Sequence, residues 1–380
     1  MPARSNILWC HSTVNPVAGC DGCPLWPSVP GLEVSITNEV ARRRPAADRP
    51  AIRSRIQELV TVHHGPRRIT QAEHVLHDAL TEFAPDLAKR EGEAARREIK
   101  SAFRCYAGVM SQRFAGTNPG YPANFDIAQK FRGRTAAIAR LGPPTTAEIA
   151  DKPWMAGMKR LIFVSDMGDA LSAGIDFPYL RQEIVDVAVS PKGQRHMWLW
   201  LTKRPGQMAE FYDWLSQHGG TWPGNLIPMA SILNPGYARQ ATAIMRIPAL
   251  IHGFSVEPLG VPLQLPAELL TPTSWVIVGG ESGVGAKHHP FDLQWARDIR
   301  DQCRAGGASF FLKQVGANAV LDGQSPPWLS MAVTGPSGPR TCASARCGPR
   351  SRSRRWWSRP AQTVQATAIP NEPHINTPPL

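Results

Sequence analysis

Six short apolar segments, each followed at once by polar or small residues, restrict the fold of this sequence more than any other feature. They recur after residue 158, and helix-like segments lie between them. The six segments are residues 161–164, 197–201, 226–233, 249–254, 275–278 and 309–312. Apolar strands that alternate with amphipathic helices are typical of a parallel α/β fold, because parallel strands need long crossover connections.

Helix signals between the segments support this interpretation. Asp176 is an N-cap candidate that is followed by a proline and by apolar residues three and four apart. Asp292 begins a second such segment, which the glycines at 306–307 would end. With an N-terminal strand at residues 6–9 the strand count is seven. We therefore expect an α/β fold with an incomplete (β/α) barrel, and an open doubly wound sheet is the alternative.

The barrel interpretation makes the polar residues after each strand important. In a (β/α) barrel these positions surround one mouth, where the loops after the strands build active sites. Residues that are far apart in the chain would converge there. The charged residues at these positions are Asp166, Lys203, Arg204, Glu257, Glu281 and Lys313.

Composition excludes several classes of protein. A chain of 380 residues with 42% hydrophobic content can bury a large core, which excludes collagen, a coiled coil and a wholly disordered chain. No apolar run approaches the roughly 18–20 residues that span a bilayer, and the N-terminus does not resemble a signal peptide. We therefore expect a cytoplasmic protein that does not enter a membrane.

The C-terminal region has an unusual charge distribution. The net charge is +12, and residues 340–359 contribute seven arginines and no acidic residue. We expect residues 326–380 to be a disordered basic tail that results from a frameshift. When the residues from Ala332 onward are back-translated with GC-rich codons, the reading frame two bases later encodes an acidic segment that contains tryptophan. The alternative is a genuine tail that binds nucleic acid. The nucleotide sequence near codon 331 distinguishes the two.

The remaining chain divides into three predicted parts. Residues 1–30 hold the first strand and a cysteine motif, and residues 105–325 hold the rest of the barrel-like domain. Between them, residues 31–104 have helical spacing and form a predicted helical insertion. A break between two of its helices is expected at Pro66 to Thr70.

The seven cysteines point to metal binding rather than to disulfides, because the expected compartment is reducing. Cys20 and Cys23 form a C-x-x-C pair, and with Cys105 they could hold a [4Fe–4S] cluster on three irons. A local set of Cys10, His11, Cys20 and Cys23 could instead form a tetrahedral zinc site. Reduced thiols without a metal are the third interpretation.

Several short motifs in a fixed order resemble those of a known family. It is a phage- and bacterium-encoded three-cysteine-motif family of unknown function that is thought to be related to radical S-adenosylmethionine enzymes. The resemblance covers about residues 10–320. The matching motifs are Asn15-Pro16-Val17, Gly19-Cys20, Cys105-Tyr106-Ala107, Phe163–Asp169, Leu201–Pro205, Ser255–Leu259, Trp275–Gly283 and Phe311–Gln314.

The resemblance implies an enzyme whose [4Fe–4S] cluster, bound by three cysteines, reduces S-adenosylmethionine. It implies roles for strand-end residues as well. The implied metal ligands are Cys20, Cys23 and Cys105; the implied cofactor-binding residues are Glu257, Gly279, Gly280, Glu281 and Ser282; the implied catalytic residues are Asp166, Lys203 and Lys313; and the implied substrate-binding residues are Thr202, Arg204 and Gln314. The substrate is unknown, with nucleic acid or a nucleotide as one candidate. A partner protein encoded nearby is a separate expectation.

Three points keep alternatives open. The family keeps its three cysteines close, whereas 81 residues separate Cys23 from Cys105 here, so the ends of the insertion must be adjacent. The glycines at 279–280 also suit a tight turn, and residues 202–204 also suit a solvated helix entry. The alternative function is a non-redox, nucleic-acid-binding protein of phage type, with a structural zinc at Cys10, His11, Cys20 and Cys23.

Overall fold

The computed structural model describes residues 7–23, 25–27, 29–43, 49–63, 68–85, 88–89, 92–96, 103–114, 121–122, 124–281, 289–321 and 323–324. Ser282 and the predicted tail at 326–380 lie outside these residues. The chain divides into two compact units. The strand unit comprises residues 1–13, 137–163 and 185–380, and the cysteine unit comprises residues 14–136 and 164–184.

The strands and helices have the following bounds. The strands are β1 (Ser12–Val14), β2 (Val17–Ala18), β3 (Gln129–Lys130), β4 (Leu161–Val164), β5 (Met197–Thr202), β6 (Leu226–Ser231), β7 (His252–Val256), β8 (Ser274–Gly279), β9 (Phe291–Asp292), β10 (Ser309–Gln314) and β11 (Ala319–Val320). The helices are α1 (Val29–Arg43), α2 (Arg49–Val62), α3 (Arg68–Phe83), α4 (Tyr106–Phe114), α5 (Arg134–Ile138), α6 (Thr146–Asp151), α7 (Phe177–Leu180), α8 (Asp186–Val189), α9 (Pro205–Gln217), α10 (Pro235–Ala241) and α11 (Leu293–Gly306).

Seven of these strands form one parallel sheet in the order β1-β4-β5-β6-β7-β8-β10, curled into a half-barrel with helices around it. Each strand lies beside the next sheet strand in the chain. A doubly wound sheet reverses its order at a switch point, so this alternative is wrong. The predicted incomplete barrel is confirmed.

Alternate residues of each strand face the interior of the half-barrel, and in its core these residues are apolar. Met197 and Leu199 of β5 and Ile227 and Met229 of β6 show the two-residue spacing. The buried core of the strand unit consists of Trp9, Cys10, Met155, Leu161, Phe163, Met197, Leu199, Ile227, Met229 and Ile277. Burial of this set away from water stabilises the curled sheet.

The predicted N-terminal strand at residues 6–9 is wrong. The first sheet strand is β1, and the residues before it form a turn. The ammonium of Lys152 donates hydrogen bonds to the carbonyls of Ile7 and Cys10, at 2.6 and 2.5 Å, so these groups are not available to a neighbouring strand. The Trp9 ring packs at 4.6 Å from the Phe163 ring, which places it in the core.

Both predicted N-caps are confirmed. Asp176 accepts a hydrogen bond from the backbone N–H of Tyr179, and Asp292 accepts one from that of Gln294. The helix after Asp176 is less regular than its spacing indicates, because it widens to a π turn at Arg181–Val185. Gly307 ends α11 in the left-handed conformation, as the glycine pair predicts.

In the cysteine unit, helices α1, α2 and α3 pack against one another around a buried apolar core. Ile36, Ile56 and Leu76 are members of this core. The predicted break is partly misplaced, because α3 already begins at Arg68 and includes Ile69 and Thr70. No described helix is both long enough and apolar enough to cross a membrane.

A buried ion pair holds the beginning of the half-barrel together. The guanidinium of Arg160, immediately before β4, donates to both carboxylate oxygens of Glu148 at 2.7 and 2.9 Å. It also donates to the Ser12 hydroxyl at 2.9 Å. The Glu148 carboxylate in turn accepts from the backbone N–H of Thr145 and completes a capping box on α6. The pair therefore joins α6, β1 and β4.

A buried histidine lies beside this pair. His11 is 1% exposed, and its Nδ1 accepts the backbone N–H of Leu161 at 2.9 Å. Burial, followed by the positive charges of Arg160 and Lys152, lowers the pKa of His11 to about 4. The imidazole is therefore neutral in the folded protein at neutral pH, whereas the same group in the unfolded chain has a pKa of about 6.5.

We expect the free energy of unfolding to fall as the pH drops from 6.5 towards 4. In that interval the unfolded chain binds a proton at residue 11 and the folded chain does not, which costs up to about 3 kcal/mol. Urea unfolding across this interval measures the effect. His11→Asn keeps an acceptor but does not titrate, so its stability should depend less on pH. Identical pH dependence in the two proteins would refute the assignment.

Candidate functional site

A carboxylate and an ammonium group meet at the carboxyl ends of β7 and β10. Lys313 Nζ lies 3.1 Å from Oε1 and 3.3 Å from Oε2 of Glu257. The Ser255 hydroxyl donates to Oε2 of Glu257 at 3.2 Å. The side chains of Lys313 and Glu257 are 21% and 14% exposed, so solvent screens the pair only partly. We call Ser255, Glu257, Gly279 and Lys313 the strand-end cluster.

Side chains alternate between the two faces of a strand, and this spacing places the strand-end cluster on the interior face of the half-barrel. A Cβ on Gly253 would lie 2.5 Å from the side chain of Met229, a core residue, so Gly253 faces the interior. Ser255 and Glu257 follow it at two-residue steps. Gly279 lies two residues beyond the core residue Ile277. The polar cluster therefore continues the interior face beyond the apolar core, where (β/α) folds bind ligands.

The glycines at 279 and 280 have a structural explanation within this chain. A Cβ on Gly279 would lie 2.3 Å from Oε1 of Glu257, so the absence of a side chain makes room for that carboxylate. A Cβ on Gly280 would lie 2.5 Å from the carbonyl oxygen of Val315. Gln314 and Gly280 also exchange two hydrogen bonds, at 2.9 and 3.2 Å. These contacts favour the tight-turn interpretation of the glycine pair.

Glu281 differs from Glu257 in its partners. Its carboxylate Oε2 accepts the backbone N–H of His289 at 3.1 Å, and Nδ1 of the same imidazole lies at 3.5 Å. Glu281 therefore helps to hold the chain where it returns at His289. Of the two acidic candidates, Glu257 is the one in the interior polar cluster.

We expect Gly279→Ala to displace the Glu257 carboxylate and to separate it from Lys313. The added methyl group has no space unless the carboxylate moves, and such overpacking costs about 1–3 kcal/mol. Thermal unfolding of the variant measures this cost. Gly206→Ala is the matched control, because a Cβ there would meet nothing within 4 Å. Equal stabilities of the two variants would contradict the packing argument.

The predicted substrate-binding residues at β5 lie two strands away from β7 in the sheet. The buried Thr202 hydroxyl accepts the backbone N–H of Arg204 at 2.9 Å, and α9 begins at Pro205. Thr202 thus shapes the turn into α9. Lys203 and Arg204 are half-buried, and Lys203 lies two residues beyond Leu201, which packs against the interior core.

Asp166 belongs to the cysteine unit, where an asparagine holds it. Asn15 Nδ2 donates to Oδ1 of Asp166 at 2.6 Å, and Asn15 Oδ1 accepts the N–H of Met167 at 2.9 Å. The preceding residue, Ser165, has φ 71°, which is strained for a residue with a side chain. Its buried hydroxyl has no hydrogen-bond partner within the described part of the chain. Such strain often accompanies functional positions.

Backbone hydrogen bonds bring Cys105 next to the segment that holds Cys23, whereas Cys20 bonds elsewhere. Cys23 and Trp26 exchange two backbone hydrogen bonds at 2.9 Å. Leu25 lies between Cys23 and Trp26 in the sequence, and its carbonyl accepts the N–H of Cys105 at 2.7 Å. The N–H of Cys20 donates at 2.7 Å to the carbonyl of Phe125. The two ends of the 81-residue excursion are therefore adjacent.

The packing around these cysteines is tight. A Cβ on Gly108 would lie 2.4 Å from the ring of Trp26, so α4 packs directly on that indole. Trp26 Nε1 donates to Asp126 at 2.8 Å. Gly19, with φ 89°, could not carry a Cβ either, because the carbonyl oxygen of Ile127 would lie 2.4 Å away. The position of Cys20 is fixed by this close approach.

The arrangement of the described thiols is not that of a formed metal site. The described cysteines are thiols, with Cys20 buried and Cys23 and Cys105 half-buried. Among the described residues, no group of three or more His, Cys, Asp or Glu side chains is placed to hold a metal ion. Cys303 is fully buried, and burial raises its pKa to about 12, so it remains a protonated thiol.

The geometry of His11 counts against the zinc set. Because Nδ1 of the neutral imidazole accepts the N–H of Leu161, the proton is on Nε2, which leaves no lone pair for a metal. The buried Nε2 has no partner among the described residues. Zinc binding at His11 would require the bond to Leu161 to break.

A family model described as "Protein of unknown function (DUF5131)" matches residues 99–358. This chain belongs to the DUF5131 family. No curated protein and no solved structure matches it. The DUF5131 match includes Cys105 and all the predicted strand-end residues, whereas Cys20 and Cys23 precede it. It also extends beyond residue 324, into the segment that we predict to be out of frame.

Sequence reasoning did not assign a role to several residues at these positions. Ser255 and Asn15 appear in the motifs, but a motif does not tell which side chain contacts a charged neighbour. Ser165 has no signal in the sequence, because its positive φ arises from the turn after β4.

Proposed function

We propose that this DUF5131 protein is an iron–sulfur enzyme of the radical S-adenosylmethionine type. The observation that carries the proposal is the hydrogen bond from the N–H of Cys105 to the carbonyl of Leu25, which brings Cys105 to the segment that holds Cys23. Three thiols, rather than four, suit a cluster with one iron open to a cofactor.

The donor set fits such a cluster in kind. Thiolates are the usual ligands of iron–sulfur clusters, and the half-buried Cys23 and Cys105 remain accessible for loading. When bound, the cluster would supply an electron to S-adenosylmethionine. The role of the chain is to hold the thiols: the Trp26–Asp126 hydrogen bond and the close contact at Gly108 would fix the segment around them.

The strand-end cluster suits the amino-acid part of the cofactor. An α-amino acid carries an ammonium and a carboxylate, and Glu257 and Lys313 carry the opposite charges. In the structure these two side chains pair with each other. On binding, the ligand ammonium would replace Lys313 at Glu257, and Lys313 would meet the ligand carboxylate. The Ser255 hydroxyl would keep Glu257 oriented throughout.

We expect Glu257→Gln to weaken S-adenosylmethionine binding by about tenfold or more, because a neutral amide loses the charge-assisted bond to the ammonium. Isothermal titration calorimetry on the anaerobic protein measures the affinity, and the iron content should be unchanged. Glu281→Gln is the matched variant and should have the smaller effect, since Glu281 contacts His289. Unchanged affinity in both variants would remove this cluster from the cofactor site.

A further inference from the structure

A groove between α1 and α2 is a separate candidate for ligand binding. It has a volume of about 530 Å³, which lies in the range of ligand sites. Its lining contains two arginines and no carboxylate. The lining residues are Val34, Thr37, Asn38, Arg49, Pro50, Arg53, Ser54 and Gln57.

The two arginines of the groove are neighbours on one face of α2. Arg49 and Arg53 are four residues apart, which places them one turn apart on the same side of the helix. Arg49 donates to the side-chain carbonyl of Asn38, a partner that carries no charge. Arg55 on the same helix is different, since it pairs with Glu58 at 2.7 Å and with Glu82 at 2.8 Å.

The other groups of the groove suit a phosphate-bearing ligand with an apolar part. Guanidinium groups bind phosphate oxygens in a bidentate way, and the hydroxyl of Ser54 can add a hydrogen bond. Val34 is exposed and, with Pro50, offers an apolar surface to a base or a sugar. At one side of the groove, the amide of Gln57 donates to the carboxylate of Glu33 at 3.4 Å.

The exposure of the groove favours a polymer over a free nucleotide. The two arginines are exposed rather than enclosed. An open basic groove follows a sugar–phosphate backbone, whereas sites for free nucleotides enclose most of the ligand.

We infer that the α1–α2 groove binds the phosphate backbone of single-stranded nucleic acid, with Arg49 and Arg53 as its phosphate contacts. This function does not depend on an iron–sulfur cluster. The helices would hold the nucleic acid whether or not the strand-end cluster binds S-adenosylmethionine.

The test is the binding of a fluorescently labelled single-stranded oligonucleotide to the full-length protein, measured by anisotropy at several salt concentrations. Arg53→Gln should weaken binding several-fold and reduce the slope of log K against log salt by about 0.7. Arg49→Gln with Arg53→Gln should reduce it by about 1.4. Arg55→Gln is the matched control. It removes one positive charge from the same helix, but Arg55 pairs with Glu58 and Glu82 instead of lining the groove, so its affinity should lie within about twofold of the parent.

The comparison between variants isolates the groove, because every variant keeps the arginine-rich residues 340–359. Equal weakening by Arg53→Gln and Arg55→Gln would overturn the proposal, since it would show an effect of net charge alone. Competition by ATP or inorganic phosphate as effective per molecule as the oligonucleotide would overturn the polymer assignment. Cys105→Ala should bind the oligonucleotide as the parent does, which separates this result from any failure of the cluster.

Discussion

Glu148→Gln should lower the free energy of unfolding by about 3–5 kcal/mol, because it leaves the charge of Arg160 buried without its carboxylate partner. Arg160 is 3% exposed, so water cannot replace the lost partner without opening the structure. The pair contributes at two levels: it caps α6 through Thr145 and holds Ser12 of β1. The strand unit should lose its first strand most readily in this variant.

Urea unfolding followed by circular dichroism measures this loss. Asp213→Asn is the matched control, because it breaks an exposed ion pair. The side chains of Asp213 and its partner Arg246 are 45% and 51% exposed, so the loss should cost less than about 1 kcal/mol. Glu148→Leu combined with Arg160→Met removes both charges and should recover much of the stability. A single Glu148→Gln variant as stable as Asp213→Asn would refute the buried-pair argument.

Single replacement of Cys20, Cys23 or Cys105 by Ala should abolish iron loading, because a cluster bound by three thiolates has no spare ligand. The three positions are held by separate backbone contacts, to Phe125, Trp26 and Leu25. No other cysteine is expected to take the place of the missing one. Iron and acid-labile sulfide per chain, measured after anaerobic reconstitution, report the result.

Cys10→Ala and Cys303→Ala are the controls for this experiment. Both cysteines are fully buried, and the thiol of Cys303 remains protonated because its pKa is about 12. Both variants should load iron as the parent does. If Cys10→Ala alone empties the site, the local zinc set with His11 is correct, and Cys105 is unrelated to it.

The strands were predictable from the sequence because burial on both faces produces continuous apolar runs. Strands β4, β5 and β8 begin or end within a residue of the predicted runs. The N-terminal strand was predicted in the wrong place because Trp9 and its neighbours are as apolar as a strand. In the structure these residues form a turn that the backbone bond from the N–H of Cys10 to the carbonyl of Ile7 closes, and Lys152 bonds to the carbonyls of Ile7 and Cys10.

The candidate site was predictable only in part. Position after a strand placed Glu257 and Lys313 at the same edge of the sheet, and the structure brings them into contact. The need for a glycine at position 279 could not be predicted from the sequence, because it comes from the space that the Glu257 carboxylate of the neighbouring strand occupies. The pairing of Asn15 with Asp166 joins residues 151 positions apart, a distance at which no local pattern operates.

The most direct test of the proposed function is the metal content and visible spectrum of the full-length protein purified without oxygen. The account predicts a brown protein with about four iron and four sulfide per chain, whose colour bleaches in air. Addition of S-adenosylmethionine should perturb the spectrum of the reduced cluster. A colourless protein with one zinc per chain, and unfolding when that zinc is chelated, would contradict the account and establish the structural-zinc alternative.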